Sequence, residues 1–383
     1  MIPILIRNAE VFAPEPKGRH DLLIAGRSIA AMEPSIELLG SQVEIVDASG
    51  RLLMPGLIDA LTHPCGGGGE GGFGNRTPEL PAAAFAQAGI TTPVGALGTD
   101  SVTRSMDVLF GHIMALRAQG VDAHMYTGAY RVPPATLTGE VMRDLILIDP
   151  VIGVGEVAIS DHRSSAPTID ELRRIAADSR VGGIVAGKGG TVLVHVGDGE
   201  TGLSPLRDAL AGSDLPITTF YPTHANRNQR LFGEAMDYAR AGGVIDFTVS
   251  TTPEFIADGE VPALGALREA LASDVPAERL TMSSDAGGSL PHYRNGELIG
   301  LQPAPPSSLL ETLRDAANQS DEMMSVALAA MTRNPARALG LAHKGQVRVG
   351  HDADLLLLDP DTFTLTDVMC RGRWLLRGGE VLC

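Results

Sequence analysis

Residues able to bind a metal or move a proton stand at the ends of four short apolar runs in this sequence. These runs are Val151–Glu156, Thr191–His195, Ile217–His224 and Leu280–Asp285. A (β/α)8 barrel gathers its catalytic side chains at the C-terminal ends of parallel strands, so this order predicts an active site on a barrel rim. A carboxylate, two imidazoles and a later aspartate suit a divalent cation and an activated water. The pattern therefore predicts a metal-dependent hydrolase.

Each of these residues also has a purely structural interpretation. His195 alone could be a core histidine with satisfied hydrogen bonds, and Asp285 could cap a turn. A second histidine, His224, after the next strand favours a metal site. Glu156 interrupts an apolar strand, where an unpaired carboxylate would be strongly unfavourable, so it must be paired or coordinated. Glu156, His195 and His224 are the predicted ligands, and Asp285 is the predicted general base.

Further polar residues follow the same runs and suggest a substrate. Arg163 and Arg227 would face the rim, and arginine recognises carboxylates through two parallel hydrogen bonds, although each could instead form a surface salt bridge. The run Gly66–Gly69 before Glu70 predicts a mobile loop that brings an acid over a substrate amine, or simply a flexible turn. Tyr130 could donate its hydroxyl to a carbonyl oxygen or fill the core. The sequence thus favours a small substrate with one or two carboxylates.

Composition limits the function classes. The chain has 383 residues, of which 44% are hydrophobic, and this is enough for a large barrel and a smaller satellite. A net charge of −16 argues against nucleic acid and anionic membranes as partners. Three scattered cysteines predict no disulfide framework and a cytoplasmic protein. The segment Met1–Ile6 lacks a preceding basic region, so we expect no signal peptide, and no run is long enough to cross a bilayer.

Alternating strand and helix signals predict βα units over most of the chain. Eight strands are expected: Leu57–His63, Ile90–Leu97, Ala123–Tyr130, Val151–Ser160, Thr191–Gly197, Ile217–Ala225, Val244–Ser250 and Leu280–Gly287. Seven helices are expected: Thr77–Ala88, Ser101–Gln119, Thr168–Arg180, Gln229–Ala241, Pro262–Ser273, Ser307–Asn318 and Asp321–Met331. Thr168 and Asp321 are the predicted N-caps of two of them. The fold class is α/β, a (β/α)8 TIM barrel.

Short β-rich segments with Gly, Pro and Asn breaks occupy both ends of the chain, which predicts antiparallel β structure there. The tail strands are expected at Gly345–Val349, Ala353–Leu358, Val368–Arg371 and Arg373–Arg377. The two ends should pair into one small β-sandwich domain. The predicted boundaries are 1–56 and 341–383 for this domain and 57–340 for the barrel.

Several motifs resemble the isoaspartyl dipeptidase family within the amidohydrolase superfamily, over essentially the whole chain. Two are typical of the superfamily: Met54-Pro-Gly-Leu-Ile-Asp59 and Gly350-x-Asp-Ala-Asp-Leu-Leu. Those similar to the narrower family are Gly66-Gly-Gly-Gly-Glu70, Arg76-Thr-Pro-Glu79, Leu97-Gly-Thr-Asp-Ser101, Thr127-Gly-Ala-Tyr130, Ile159-Ser-Asp-His-Arg-Ser164, Pro222-Thr-His-x-Asn-Arg-Asn228 and Ser283-Ser-Asp-x-x-Gly-Ser289. The resemblance implies hydrolysis of β-aspartyl dipeptides, a zinc site and a homo-oligomer.

The resemblance also implies a role for each matching residue. These roles are: Gly68 and Glu70 at the free amine of the substrate; Thr99, Arg227 and Ser289 at the β-aspartyl end with its α-carboxylate; Arg163 at the carboxylate of the leaving amino acid; Tyr130 at the scissile carbonyl; and Asp285 in proton transfer.

Two departures from the family pattern concern the metals. The family's first strand ends in His-x-His, whereas this chain reads Leu61-Thr-His63, and leucine offers no lone pair. The family's bridging carboxylated lysine is replaced by Glu156, which needs no modification. The sequence therefore predicts one zinc ion held by Glu156, His195 and His224 rather than two, with His63 as a further metal-site residue. Cys65 is a weaker candidate for a replacement ligand.

Two other functions are compatible with these residues. Another amidohydrolase activity, such as that of an N-acyl amino acid deacylase or a cyclic-amide hydrolase, would share the metal site without needing Glu70 and both arginines. A catalytically impaired β-aspartyl-binding homologue would explain an altered metal site beside an intact substrate pocket. A purely structural barrel would leave Glu156 unexplained.

Overall fold

Five strands at the N-terminal end begin the fold. The structure is a computed structural model that describes residues 2–38, 42–294 and 297–383. The strands are β1 (Ile4–Phe12), β2 (Pro16–Ala25), β3 (Ser28–Glu33), β4 (Glu44–Asp47) and β5 (Leu52–Pro55). β1 is antiparallel to β2 but parallel to β4 and β5. The prediction of purely antiparallel structure is therefore wrong here, because the chain crosses back before β4 and before β5.

Eight parallel strands follow and form a TIM-barrel-like domain, as predicted. They are β6 (Leu57–Thr62), β7 (Ile90–Gly95), β8 (His124–Thr127), β9 (Val151–Ile159), β10 (Thr191–Val196), β11 (Phe220–Thr223), β12 (Ile245–Thr248) and β13 (Leu280–Ser283). β6 to β11 form one sheet, and β12 pairs with β13. Backbone hydrogen bonds close the ring, from Ala225 N to Asp246 O (3.0 Å) and from His63 N to Ala286 O (2.6 Å).

Nearly all residues of the barrel strands are buried, because the barrel interior and the surrounding helices cover both faces. All nine residues of β9 are buried, including Glu156. A charged residue in such a strand cannot turn to solvent, so its partners must lie inside the barrel.

Helices follow the barrel strands along the chain, and three more come after the last of these strands. They are α1 (Ala82–Gln87), α2 (Met106–Gln119), α3 (Val141–Leu147), α4 (Ile169–Ala186), α5 (Ser204–Leu210), α6 (Gln229–Arg240), α7 (Pro253–Ala257), α8 (Ala263–Ala272), α9 (Ser308–Ala317), α10 (Asp321–Ala330) and α11 (Arg333–Ala338). The sequence did not predict α3, α5, α7 and α11, which have only five to seven residues and so show little periodicity. None of the described helices is long and apolar enough to span a membrane.

The two predicted N-caps have different outcomes. Thr168 caps α4, and its hydroxyl and the Glu171 side chain form a reciprocal capping box. Asp321 is not a cap, because the Ser320 hydroxyl accepts the hydrogen bond from Met323 N at 3.1 Å. Asp321 instead lies in the first turn, where its negative charge interacts favourably with the helix dipole.

A hairpin and four more strands complete the chain. The strands are β14 (Ser289–Arg294), β15 (Glu297–Pro303), β16 (Leu355–Leu358), β17 (Leu365–Cys370), β18 (Arg373–Arg377) and β19 (Glu380–Val381). The sequence did not predict the β14–β15 hairpin. The tail strand expected at Gly345–Val349 is wrong, because this segment forms turns and loops. β16 pairs with β5, so strands from both ends share one nine-stranded sheet.

A buried charge cluster joins this sheet to the barrel. Lys344 Nζ lies 2.8 Å from Asp122 Oδ2, just before β8, and 2.6 Å from Asp354 Oδ2, just before β16. Arg371 Nη1 reaches the other Asp122 oxygen at 2.8 Å. Removing one partner of such a cluster would leave a buried charge uncompensated, so these contacts fix the sheet against the barrel.

Candidate active site

The barrel brings the predicted metal and proton-transfer residues together at the C-terminal ends of its strands. Glu156 lies on β9 and His195 on β10, while His63, His224 and Asp285 follow β6, β11 and β13. His224 (φ +60°) and Asp285 (φ +55°) adopt the left-handed backbone conformation. This conformation costs a non-glycine residue on the order of 1–2 kcal/mol, and such strain concentrates at functional sites.

Glu156, His195 and His224 form the one cluster of three potential ligands detected among the described residues. Their ligand atoms all lie within 4.8 Å of one another. Glu156 Oε1 is 2.7 Å from His195 Nδ1 and 3.3 Å from His224 Nε2. Glu156 Oε2 is buried and has no hydrogen-bond partner in the described structure. An orphaned carboxylate oxygen beside two imidazoles is a donor set that fits one borderline divalent cation.

The outer nitrogens of the two imidazoles have their own partners. His195 Nε2 lies 2.9 Å from Asp161 Oδ2, and His224 Nδ1 lies 2.6 Å from Thr248 Oγ1. A carboxylate only accepts hydrogen bonds, so we assign the proton of His195 to Nε2. With the corresponding proton of His224 assigned to Nδ1, the nitrogens beside Glu156 that would bind a metal are His195 Nδ1 and His224 Nε2. Neither Asp161 nor Thr248 was assigned a role from sequence.

Electrostatics favour this arrangement. Burial lowers the pKa of His224 to about 4, helped by the neighbouring His195, so His224 is neutral at pH 7. Burial alone would raise the pKa of Glu156, but the adjacent His195 and His224 imidazoles and the charge of His63 hold it well below its ordinary value. The cluster therefore offers a carboxylate and a neutral imidazole at neutral pH.

His63 and Asp285 lie on the opposite side of Glu156. His63 Nε2 is 3.0 Å from Asp285 Oδ1 and 3.5 Å from Glu156 Oε2. Burial would lower the pKa of His63, but the adjacent Asp285 and Glu156 raise it to about 9. Asp285 Oδ1 has no partner with hydrogen-bond geometry among the described residues. Asp285 therefore lies beside His63 on the wall of the site cavity.

Leu61 and Cys65 offer no ligand in place of the missing histidine. Leu61 is fully buried in an apolar cluster that also contains Tyr126, Leu193 and Tyr221. The thiol of Cys65 instead faces Val108 O on α2 at 3.8 Å, and Cys65 does not line the site cavity. Burial raises the pKa of this thiol to about 12, which disfavours the thiolate that a metal needs.

A cavity of about 300 Å³ lies in front of the cluster. All the predicted site residues except Glu156 line it, and Glu156 lies behind the two histidines. The predicted lining residues are His63, Gly68, Glu70, Thr99, Tyr130, Arg163, His195, His224, Arg227, Asp285 and Ser289. Sequence reasoning missed Leu290 and Leu301, which the unpredicted β14–β15 hairpin brings to the cavity wall. The volume suits a small ligand such as a dipeptide.

The two arginines of this cavity are not equivalent. Arg163 is held by Asp161 through two hydrogen bonds, Nε to Oδ1 at 2.9 Å and Nη2 to Oδ2 at 2.7 Å. Its Nη1 also lies 3.2 Å from Glu70 Oε1. Arg227 has no acidic group within 4.0 Å in the described part of the chain, and its buried Nε has no partner. Arg227 is therefore the guanidinium available for a substrate carboxylate.

Glu70 and Tyr130 are two further polar residues on the cavity wall. Burial would raise the pKa of Glu70, but hydrogen bonds from Thr99 and its own backbone, with the charge of Arg163, lower it. Glu70 is therefore a carboxylate at pH 7. The Tyr130 hydroxyl lies 2.8 Å from His195 Nδ1, and burial together with Glu156 raises its pKa well above the ordinary value. Tyr130 therefore retains its proton.

The glycine run before Glu70 is anchored at its start. Gly67 N donates to Thr77 Oγ1 at 2.6 Å and to Gly287 O at 2.9 Å. A Cβ on Gly66 (φ +76°) would lie only 2.3 Å from Thr77 O. Glycine is therefore required here for a close backbone approach, a reason that the expectation of a mobile loop did not include.

Two buried aspartates that sequence analysis did not single out form hydrogen bonds with the residues next to His224 and Asp285. Asp59 accepts a hydrogen bond from Ser284 N at 3.0 Å, next to Asp285. Asp246 accepts one from the hydroxyl of Thr223, next to His224, at 2.8 Å. Burial raises the pKa of Asp59 to about 7 and that of Asp246 to about 6. These contacts fix the strand ends that present His224 and Asp285.

The fold and the site together define a barrel hydrolase of the metal-dependent kind. The model of the amidohydrolase family matches residues 255–375. The β-aspartyl dipeptidase of Fervidobacterium islandicum AW-1, solved in complex with β-Asp-Leu, is 41% identical and superposes with a TM-score of 0.91, covering 100% of this chain and 99% of that chain.

More distant proteins are also similar to this chain. The N-isopropylammelide isopropylaminohydrolase of Burkholderia multivorans is 20% identical with a TM-score of 0.67, covering 100% of both chains. The imidazolonepropionase of Pseudoalteromonas atlantica is 26% identical over 88% of this chain and 85% of its own length. This chain belongs to the β-aspartyl dipeptidases of the amidohydrolase superfamily, as its motifs predicted.

Proposed function

We propose that this protein hydrolyses β-aspartyl dipeptides, cleaving the isopeptide amide between the aspartyl side chain and the next amino acid. The observation that carries this proposal is one cavity that joins a three-ligand metal cluster to a carboxylate, Glu70, and an unpaired guanidinium, Arg227. The similarity to a dipeptidase solved with β-Asp-Leu supports it. Release of aspartate from β-Asp-Leu, compared with α-Asp-Leu, tests the activity directly.

The cluster would hold a metal, and Asp285 beside it is the base. A zinc ion held by Glu156, His195 and His224 would lower the pKa of bound water from about 15.7 toward 7 and so provide the nucleophile. Asp285 takes the proton of the attacking water and returns it to the departing nitrogen as the C–N bond breaks. The protonated hydroxyl of Tyr130 donates to the carbonyl oxygen, and His63 assists because its pKa of about 9 keeps it charged at pH 7.

The opposite wall of the cavity recognises the substrate. Glu70 and the backbone of Gly68 meet the free amine, while Thr99, Arg227 and Ser289 hold the β-aspartyl end with its α-carboxylate. Arg163 meets the carboxylate of the leaving amino acid. Asp161 accepts hydrogen bonds from Nε and Nη2 of Arg163, so Nη1, next to Glu70, is the nitrogen left for the substrate carboxylate.

Replacing Arg227 with methionine should lower kcat/KM for β-Asp-Leu by about 30- to 5,000-fold. The physical reason is a lost charge pair worth on the order of 2–5 kcal/mol, which would leave the α-carboxylate buried without a partner. Initial rates with β-Asp-Leu and with its α-amide derivative measure the effect. In the variant the two substrates should differ far less. Arg268→Met, on the exposed face of α8, is the control, and an equal loss there would contradict this role.

Asp161→Asn should weaken zinc binding by about 10- to 100-fold, the usual effect of removing a carboxylate behind a metal-bound imidazole. It should also raise KM, because Arg163 loses its charged partner. Competition with a chromogenic chelator measures the affinity independently of turnover. Asp208→Asn, an exposed aspartate on α5, should change neither value. Unchanged zinc affinity in Asp161→Asn would show that Asp161 does not orient His195.

We further propose that the protein is a homo-oligomer in the cytoplasm. Exposed apolar side chains form neighbouring patches on α3 and α4, and exposed patches of this kind mark interfaces. These are Met142, Ile146, Leu147, Val181, Ile184 and Val185. The three cysteines are all unpaired, which suits a reducing compartment. Light scattering measures the mass in solution, and a monomer would contradict the oligomer.

The two chain ends are proposed to form a separate small β-sandwich domain with the boundaries 1–56 and 341–383, around a barrel at 57–340. The terminal sheet buries its own apolar cluster, which includes Ile6, Leu22, Leu53 and Leu355. Proteolysis that releases the barrel only after the sheet unfolds would support these boundaries, and a single cooperative unfolding unit would contradict them.

A further inference from the structure

A second cavity, of about 310 Å³, lies at the opposite end of the barrel from the active site. It opens between the N-terminal ends of four strands, β10 to β13, and the helices α4 and α11. Thr191 begins β10, Thr219 directly precedes β11, Val244 precedes β12 and Arg279 precedes β13, and all four line the cavity. No role in the proposed hydrolysis involves this end of the barrel.

The charge of this cavity is unusual for so acidic a protein. Three arginines line it, Arg180, Arg279 and Arg337, against one acidic residue, Glu278. None of the three has an acidic group within 4.0 Å in the part of the chain that the structure describes, whereas surface arginines such as Arg117 do. With Glu278, the lining carries a net of two positive charges, although the whole chain has a net charge of −16.

An orphaned hydroxyl points to the same kind of ligand. Thr219 is only 4% exposed, lines the cavity, and its Oγ1 has no hydrogen-bond partner among the described residues. A buried hydroxyl without a partner is unfavourable, so a ligand that accepts its proton would be stabilised there. The three guanidinium groups provide planar donors whose geometry matches oxygen anions.

We propose that this cavity binds a small anion that carries two negative charges on oxygen atoms, such as inorganic phosphate or a dicarboxylate. The net charge of the lining matches a dianion, and the volume exceeds the roughly 30 Å³ of a water molecule by about tenfold. The bound anion would connect the N-terminal ends of strands whose other ends present His195, His224 and Asp285. It should therefore stabilise the barrel.

Isothermal titration of the full chain with inorganic phosphate tests this proposal, in chloride buffer of constant ionic strength. Arg180→Glu and Arg337→Glu should each raise Kd at least tenfold, and both side chains are exposed and make no ion pair, so the variants should fold. Arg268→Glu, the same charge change on α8, should leave Kd unchanged. Arg227→Met separates the two cavities, because it alters only the active site and should leave this binding intact.

A parallel titration with succinate distinguishes the two sources of the anion. Binding of both probes supports a general dianion site, and binding of one identifies its class. Thr219→Val should weaken the same binding several-fold without a charge change. An anion concentration that saturates the wild type should raise Tm by roughly 2–4 °C in the wild type and in Arg268→Glu, and by less in Arg180→Glu and Arg337→Glu. Absence of binding by both probes, or equal Kd values in Arg180→Glu, Arg337→Glu and Arg268→Glu, would overturn the proposal.

Discussion

Asp285→Asn should reduce kcat for β-Asp-Leu by about 10²- to 10⁴-fold, which is the range expected when a general base is lost. The amide of asparagine cannot take the proton of the attacking water or return it to the leaving nitrogen. The side chain keeps its size, and Ser284 N still anchors the loop through Asp59, so the fold should not change. Steady-state kinetics and circular dichroism measure the two effects.

Metal content separates a base from a ligand at this position. Asp285 lies outside the cluster of Glu156, His195 and His224, so the variant should keep the zinc content of the wild type. Asp208→Asn should behave as the wild type in both assays. Loss of zinc together with activity in Asp285→Asn would show that Asp285 is a ligand and that its role as a base is not separable.

The candidate metal ligands could be identified from sequence because each one stands within or at the end of an apolar strand pattern. Glu156 stands in a run of nine buried residues, and His195 and His224 end the next two strands. Eight strands in the order of a barrel place such positions on one rim whatever the details of packing. Periodicity and position therefore predicted the TIM-barrel-like domain correctly, and the rim of that barrel brings these residues together.

The partners of these residues could not be predicted in the same way. Asp161 contacts His195 across 34 positions of sequence, and Asp59 holds Ser284 across 225. Such pairs depend on the exact register and curvature of the barrel, which no local pattern encodes. For the same reason nothing in the sequence indicated that Asp161 forms hydrogen bonds with Arg163 and not with Arg227.

Short elements were missed for a different reason. The β14–β15 hairpin and the helix α11 contain few periods of their own pattern, yet they line the two cavities. Their positions are determined by packing against the barrel rather than by intrinsic propensity. For this reason the sequence motifs did not predict the cavity at the end of the barrel that carries Arg337.

Protein loaded with zinc and then desalted should retain close to one ion per chain, and Glu156→Gln should weaken that binding by more than about 100-fold. Glu156 Oε1 approaches both imidazoles, and a neutral amide would leave two histidines without the anionic ligand. Turnover should fall with the metal content. Mass spectrometry of the metal and chelator competition measure both values, and His292→Gln, an exposed histidine, serves as the control.

Leu61→His then tests why a single ion suffices. His63, Glu156 Oε2 and Asp285 Oδ1 already converge on the side of the site that Leu61 leaves without a ligand. A wild type that is active with one ion, and a variant that gains a second ion without gaining activity, would show adaptation to a one-metal mechanism. An inert wild type that becomes active only in Leu61→His would instead show a decayed dipeptidase. Two tightly held ions in the wild type would contradict the single site, and they would require a ligand other than Cys65, since its thiol faces α2.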